Sequence, residues 1–285
     1  MVPYIRETLK FLAQTDFKIS YPVINHIVLK ENGGHSIHMS LASNFSQNNQ
    51  LNKNENLKFI IVFSMLDVFA DVLNPHGEGK SFKKKYNFLP KSNDYEIIFS
   101  SLYRIAKIIR NAMVHNPEGL LFDEEKLDVN YQFRSTPFSL KMTRNSLDDF
   151  YTLIIMYVKG DLGKGEYFLA LAREIYERIL GGVESFSDDI NPAALPVPVG
   201  TLKIKSVQRE IVINPVYEIH NSTIVFAEYN SSFPQWAGAD FSIELDNLKL
   251  LIPNEALDIN NKIEVDIAKR DWLAINPFPP VPELL

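Results

Sequence analysis

From Asp94 to His115 apolar residues recur at helical spacing without a break, and Asn116-Pro117 ends the run. Ile98, Leu102, Ile105, Ile109, Ala112 and Met113 fall within one stripe, the pattern of a helix laid on a core. Proline has no N–H to continue the ladder and restricts the residue before it. The sequence therefore predicts a helix about 33 Å long whose last side chain, His115, sits where the chain departs. At 100° per residue Arg104, Asn111 and His115 share one flank of the polar side. Arg110 lies on the other flank, roughly 140° from His115. In a straight helix the two converge on one ligand only if the last turn unwinds at Asn116-Pro117, or if a second copy of the chain brings its own pair close.

Other elements surround this helix. Residues 2–15 read as a helix with Pro3 near its start. In residues 22–42, Asn32-Gly33-Gly34 between apolar stretches favours a β-hairpin over a helix, and residues 43–56 read as loop. Leu57 to Leu73 reads as a helix apolar on nearly every side, buried all round, and residues 78–93 as a charged connection. Leu127 to Phe133 and Phe138 to Met142 alternate and flank Ser135-Thr136-Pro137, a second hairpin. A helix capped by Ser146 and another over 166–180, stopped by Gly181-Gly182, complete the helical part.

The character changes after residue 182. Asn191-Pro192, Pro196 and Pro198 give residues 183–200 a linker composition. Beyond them come short strands at 202–207, 210–213, 222–229, 241–245, 248–252 and 263–267, so residues 201–285 read as a small, mainly β domain. Pro277 to Pro282 reads as polyproline-like chain. The expectation is an α+β chain: a helical bundle with a β-hairpin insertion over 1–182, a linker, then the β domain.

The chain of 285 residues contains no cysteine, which excludes a disulfide framework and thiolate metal sites. No apolar run approaches the about 20 residues needed to span a bilayer, and the N-terminus does not read as a secretory signal. A cytoplasmic protein is expected. The net charge of −6 argues against a whole-surface nucleic-acid binder. Local basic clusters remain at Lys80, Lys83, Lys84, Lys85 and Lys91, and at Arg104, Lys107 and Arg110, each readable also as a solvated face.

Arg110-Asn111-Ala112-Met113-Val114-His115, at the end of a long helix preceded by an apolar helix and followed by others, resembles the HEPN superfamily over roughly residues 1–182. Its ribonuclease members carry an Arg, four to six residues, then a His, often with a polar residue directly after the Arg. The resemblance implies a homodimer that joins two motif copies in one cleft and cleaves RNA without metal or cofactor. The 2′-hydroxyl attacks the adjacent phosphate, giving 2′,3′-cyclic phosphate and 5′-hydroxyl ends. His115 would transfer protons, a role suited to an imidazole. Arg110 would hold the phosphate through its planar fork, and Asn111 would orient one or the other. Arg104, Lys107, Lys83, Lys84 and Lys85 are the candidate RNA-binding cations. Some HEPN toxins have a Tyr two residues after the His, where a partner enzyme modifies it; Pro117 stands there, so that regulation is not expected.

Other readings stand beside this one. Arg110 and His115 also suit a helix C-terminus, where cations interact favourably with the dipole. A HEPN fold can serve as a non-catalytic RNA-binding or oligomerising module, or as part of a sensor whose β domain binds a protein or ligand. Asp67 and Asp71, four apart, read as an acid pair or, with more weight, as partnered groups, since a buried charge requires pairing. His35 and His38 lack a nearby acid and read as loop residues rather than metal ligands.

Overall fold

The computed structural model describes residues 24–30, 33–39, 54–160, 164–190, 194–204, 209–228 and 238–274. The helix expected at 2–15 and the polyproline tail lie outside them. The chain mixes helices with sheet, helices prevailing in the earlier part and strands in the later, an α+β protein. It forms two units, neither continuous in sequence. The first takes its described residues from 42–159 and 175–200, the second from 22–41, 160–174 and 201–285.

The second unit keeps the expected start at residue 201 but also draws in residues 22–41 and 160–174. Strands β1 (Ile24–Lys30) and β2 (Gly33–Met39) form the expected hairpin, but β1 pairs in parallel with β7 (Arg209–Ile213). Strand β10 (Gly238–Leu245) lies parallel to β7 on its other side, and β11 (Leu248–Pro253) closes the far edge antiparallel to β10. The result is a five-stranded mixed sheet, order β11-β10-β7-β1-β2. The early hairpin therefore belongs to the β unit. Parallel pairing requires a long crossover, and here almost the whole helical unit intervenes between β1 and β7.

A smaller sheet joins β8 (Tyr217–His220), β9 (Thr223–Phe226) and β12 (Lys262–Glu264). Asn221-Ser222 and Asp246-Asn247 take positive φ at both positions, as the tightest hairpin turns demand. The run expected as one strand at 263–267 divides between β12 and a short helix, Val265–Asp271. Residues 201–204 are not a strand; Ile204 donates its N–H to Ala170. In this unit Arg209 is fully buried, forked onto Asp240 and Glu255. Tyr167 also donates to Asp240.

The first unit is built around the motif helix. Helix α1 (Glu55–Leu73) starts on Asn54, whose side chain accepts from Leu57 N–H at 3.0 Å. Its Phe59, Val62, Met65, Leu66 and Ala70 are buried, but Ile60 and Val72 are exposed, so it is not enclosed all round. The expected connection at 78–93 contains α2 (Phe82–Phe88). Then comes α3, Asp94–His115, with the bounds the sequence indicates. Asn93 accepts from Glu96 N–H, and Glu96 accepts in return from Ser92 N–H, which fixes its start.

After a tight turn over Pro117–Gly119 come β3 (Leu120–Phe122), β4 (Lys126–Phe133) and β5 (Thr136–Thr143). Helix α4 (Arg144–Lys159) and α5 (Glu166–Gly181) follow, and β6 (Val183–Ser187) completes a sheet of order β3-β4-β5-β6. The β4–β5 turn is Arg134-Ser135, both at positive φ, rather than Ser135 to Pro137. Thr143, not Ser146, caps α4: its Oγ1 accepts from Ser146 N–H at 3.3 Å.

Residues 183–200 are not a free linker. Strand β6 pairs with β5, Pro196 accepts from the Tyr176 hydroxyl, and the N–H groups of Val199 and Gly200 donate to Asp94. The segment is fastened along α3.

Candidate active site

The last turn of α3 stays helical to His115, and Asn116 N–H still donates to Ala112 at 2.8 Å. No unwinding occurs, yet Arg110 and His115 meet. Arg110 Nη1 stands 3.4 Å from His115 Nε2 and donates to Asn111 Oδ1 at 3.2 Å. The separation expected from rotation applies to the helix surface. The long guanidinium stem extends past one turn and closes it within a single chain. The Arg110 guanidinium also lies over the Phe82 ring, 5.4 Å from its centre, a cation–π contact. Guanidinium nitrogens only donate, so in this contact the imidazole can only be the acceptor.

The turn after His115 is held close to β4. A Cβ on Gly119 would lie 2.3 Å from the Asn130 carbonyl oxygen, so only glycine permits this approach. It brings β4 against the helix end, and a cavity of about 390 Å³ opens there, lined by Asn111, His115, Asn116, Tyr131, Phe133 and Phe138. Tyr131 and Phe138 are cross-strand partners and stack at 4.9 Å with planes 3° apart. The Tyr131 hydroxyl is buried without a hydrogen-bond partner among the described residues. Burial pushes it up to about 12, the Asn111 side chain pulling the other way without closing a bond of ordinary length.

Arg110, Asn111 and His115 thus come together, but most of the proposed RNA-binding cations do not join them. Arg104 is fully buried and forks onto Asp188, at 2.7 Å from Nη2 and 3.0 Å from Nε. It also donates to the Ala194 carbonyl. Burial opposes its charge, but Asp188 holds the guanidinium above its ordinary value. Lys107 is buried and paired with Asp189. Lys85 is buried and donates to Asp67 and Asp71 at 2.9–3.0 Å; burial lowers its pKa, the two carboxylates raise it, and the carboxylates win.

These three cations are neutralised inside the fold and present no charge to a polyanion, which corrects the expectation for Arg104, Lys107 and Lys85. Lys83 is exposed and reaches Asp189 at 3.2 Å, and Lys84 is exposed. Asp67 also accepts from Tyr103 of α3 at 2.8 Å, so Asp67 and Asp71 are partnered groups at the motif helix rather than a free acid pair. His35 and His38 lie in a strand, β2.

Sequence reasoning missed Phe82 beneath Arg110 and the aromatic walls. The alternation of Tyr131 and Phe133 was visible, but their position beside His115 depends on Gly119, whose role no local pattern reveals. No family model matches the chain, and neither a curated protein nor a solved structure matches it.

Proposed function

We propose that this chain is a metal-independent endoribonuclease of HEPN type, working in the cytoplasm as a homodimer, in defence or stress response. The observation that carries the reading is the 3.4 Å approach of Arg110 Nη1 to His115 Nε2 at an exposed helix end. The 2′-hydroxyl oxygen forms a bond to phosphorus as the bond to the 5′-oxygen breaks. His115 takes the 2′-hydroxyl proton on its imidazole ring. Arg110 meets the charge growing on the phosphate oxygens, with Asn111 keeping the guanidinium in place. The twin His115 of a second copy supplies a proton to the departing 5′-oxygen.

Purified protein incubated with labelled RNA in EDTA tests this reading. Cleavage is expected to survive chelation, to leave 2′,3′-cyclic phosphate ends, and to fall about 100-fold or more in both Arg110→Ala and His115→Ala. Loss in EDTA would point to metal chemistry, and unchanged cleavage in both variants to another source. A strict monomer in sizing would remove the second proton donor.

A second reading, a HEPN module that binds a partner without cutting, draws on the internal pairing of Arg104, Lys107 and Lys85. Three of the five proposed RNA-binding cations are thereby withdrawn from any polyanion. Purified protein that neither cleaves nor binds labelled RNA would favour it.

A further inference from the structure

The cavity beside the pair is built for a flat, neutral group. Three of its six lining residues are aromatic, two are amides, and the sixth is His115. A phosphate subsite would need cations in the wall. Asn111 and Asn116 each offer both a donor and an acceptor, the equipment that reads the edge of a base. The volume of about 390 Å³ falls in the range of small-molecule sites, roughly 300–1,000 Å³. The stacked Tyr131–Phe138 pair is preformed. Phe133 is 51% exposed, with the Arg134 guanidinium 5.2 Å from its ring centre.

We propose that this cavity is a nucleobase subsite, taking one unstacked base of single-stranded RNA whose neighbouring phosphate lies at Arg110 and His115. The proposal rests on the nuclease reading for the phosphate, but the base is held by Phe133, Phe138 and Tyr131 through ring contact and by the two asparagine amides through its edge. Stacking on aromatic side chains is the common way to hold splayed-out bases. The subsite makes the enzyme selective for a base at one position of the cleaved step, and confines it to RNA that is unpaired there.

The test uses the full chain and an uncleavable 2′-O-methyl oligonucleotide with 2-aminopurine moved through successive positions. One position is expected to show strong fluorescence quenching. Removing the base there, or making Phe133→Ala, should weaken binding about tenfold, while Phe133→Trp retains both quenching and affinity. Phe133 is exposed, so the Ala variant keeps its fold, which circular dichroism verifies. Absence of a quenched position, or quenching and affinity unchanged in Phe133→Ala, overturns the subsite. The assay requires no cutting. A protein that quenches but never cleaves loses the nuclease and keeps the subsite. One that cleaves with base preference unchanged in Phe133→Ala keeps the nuclease and loses the subsite.

Discussion

Arg110 and His115 face one another within one chain, Nη1 3.4 Å from Nε2, although they leave the helix in divergent directions. The contact depends on stem length and on a planar head that also meets Asn111 and Phe82. Lysine has a shorter reach and a point charge without the fork. Arg110→Lys should therefore retain folding and lose about 100-fold in cleavage, the scale set by an ångström of misplacement. Single-turnover kinetics on labelled RNA measures it, and near-native cleavage would count against the positioning argument.

Gly119 controls the distance between the turn after His115 and β4. In Gly119→Ala the new methyl meets the Asn130 carbonyl oxygen, and the turn or the strand must shift. A loss of about 1–3 kcal/mol in urea unfolding is expected, the usual cost of overpacking. Quenching of the 2-aminopurine oligonucleotide, if the proposed subsite holds the base, should weaken in parallel.

Asp188 neutralises Arg104, and both side chains are fully buried. Removing one partner of such a pair leaves an unmatched charge inside the protein. Asp188→Ala should cost about 3–5 kcal/mol, and replacing the pair together, Arg104→Met with Asp188→Ala, should recover much of it. Chemical denaturation of the two variants distinguishes the cases.

Asp189 gives a pH dependence with a defined sign. Burial raises its pKa, but Lys107 and Lys83 outweigh burial and hold the carboxyl below its ordinary 3.8. A depressed carboxyl contributes stability that is present above the unfolded value and lost as pH falls through the folded one. The pairing should therefore hold at neutral pH and fail progressively below about pH 3.8. Protection factors of the β6 amides, taken against the intrinsic exchange rate at each pH, should fall there in the native protein, and Asp189→Asn should show the lower protection already at pH 7.

The motif helix was legible in the sequence because its ends are written locally, by Asn93 with Glu96 at one end and Asn116-Pro117 at the other. The alternating hairpins were legible for the same reason. What escaped was set by residues far apart in the chain. Arg104 reads as an RNA-binding cation because the carboxylate that neutralises it lies 84 positions later. The early hairpin read as part of the helical region because its parallel partner is β7. Proline-rich composition suggested a tether at 183–200, whereas the hydrogen bonds that fasten it are made by backbone groups and two aspartates. Within the site, the two motif side chains were visible and the aromatic recess was not.

The pinned segment after residue 182 also bears on how this protein can be divided. Cutting where the helical periodicity stops would strip away the counterions of Arg104 and Lys107 together with the N–H donors that Asp94 receives. Such a truncated piece would carry two uncompensated cations at its centre and collapse into a loosened or insoluble state. The smallest portable version of the helical unit must run through Gly200, carrying its own acidic clasp.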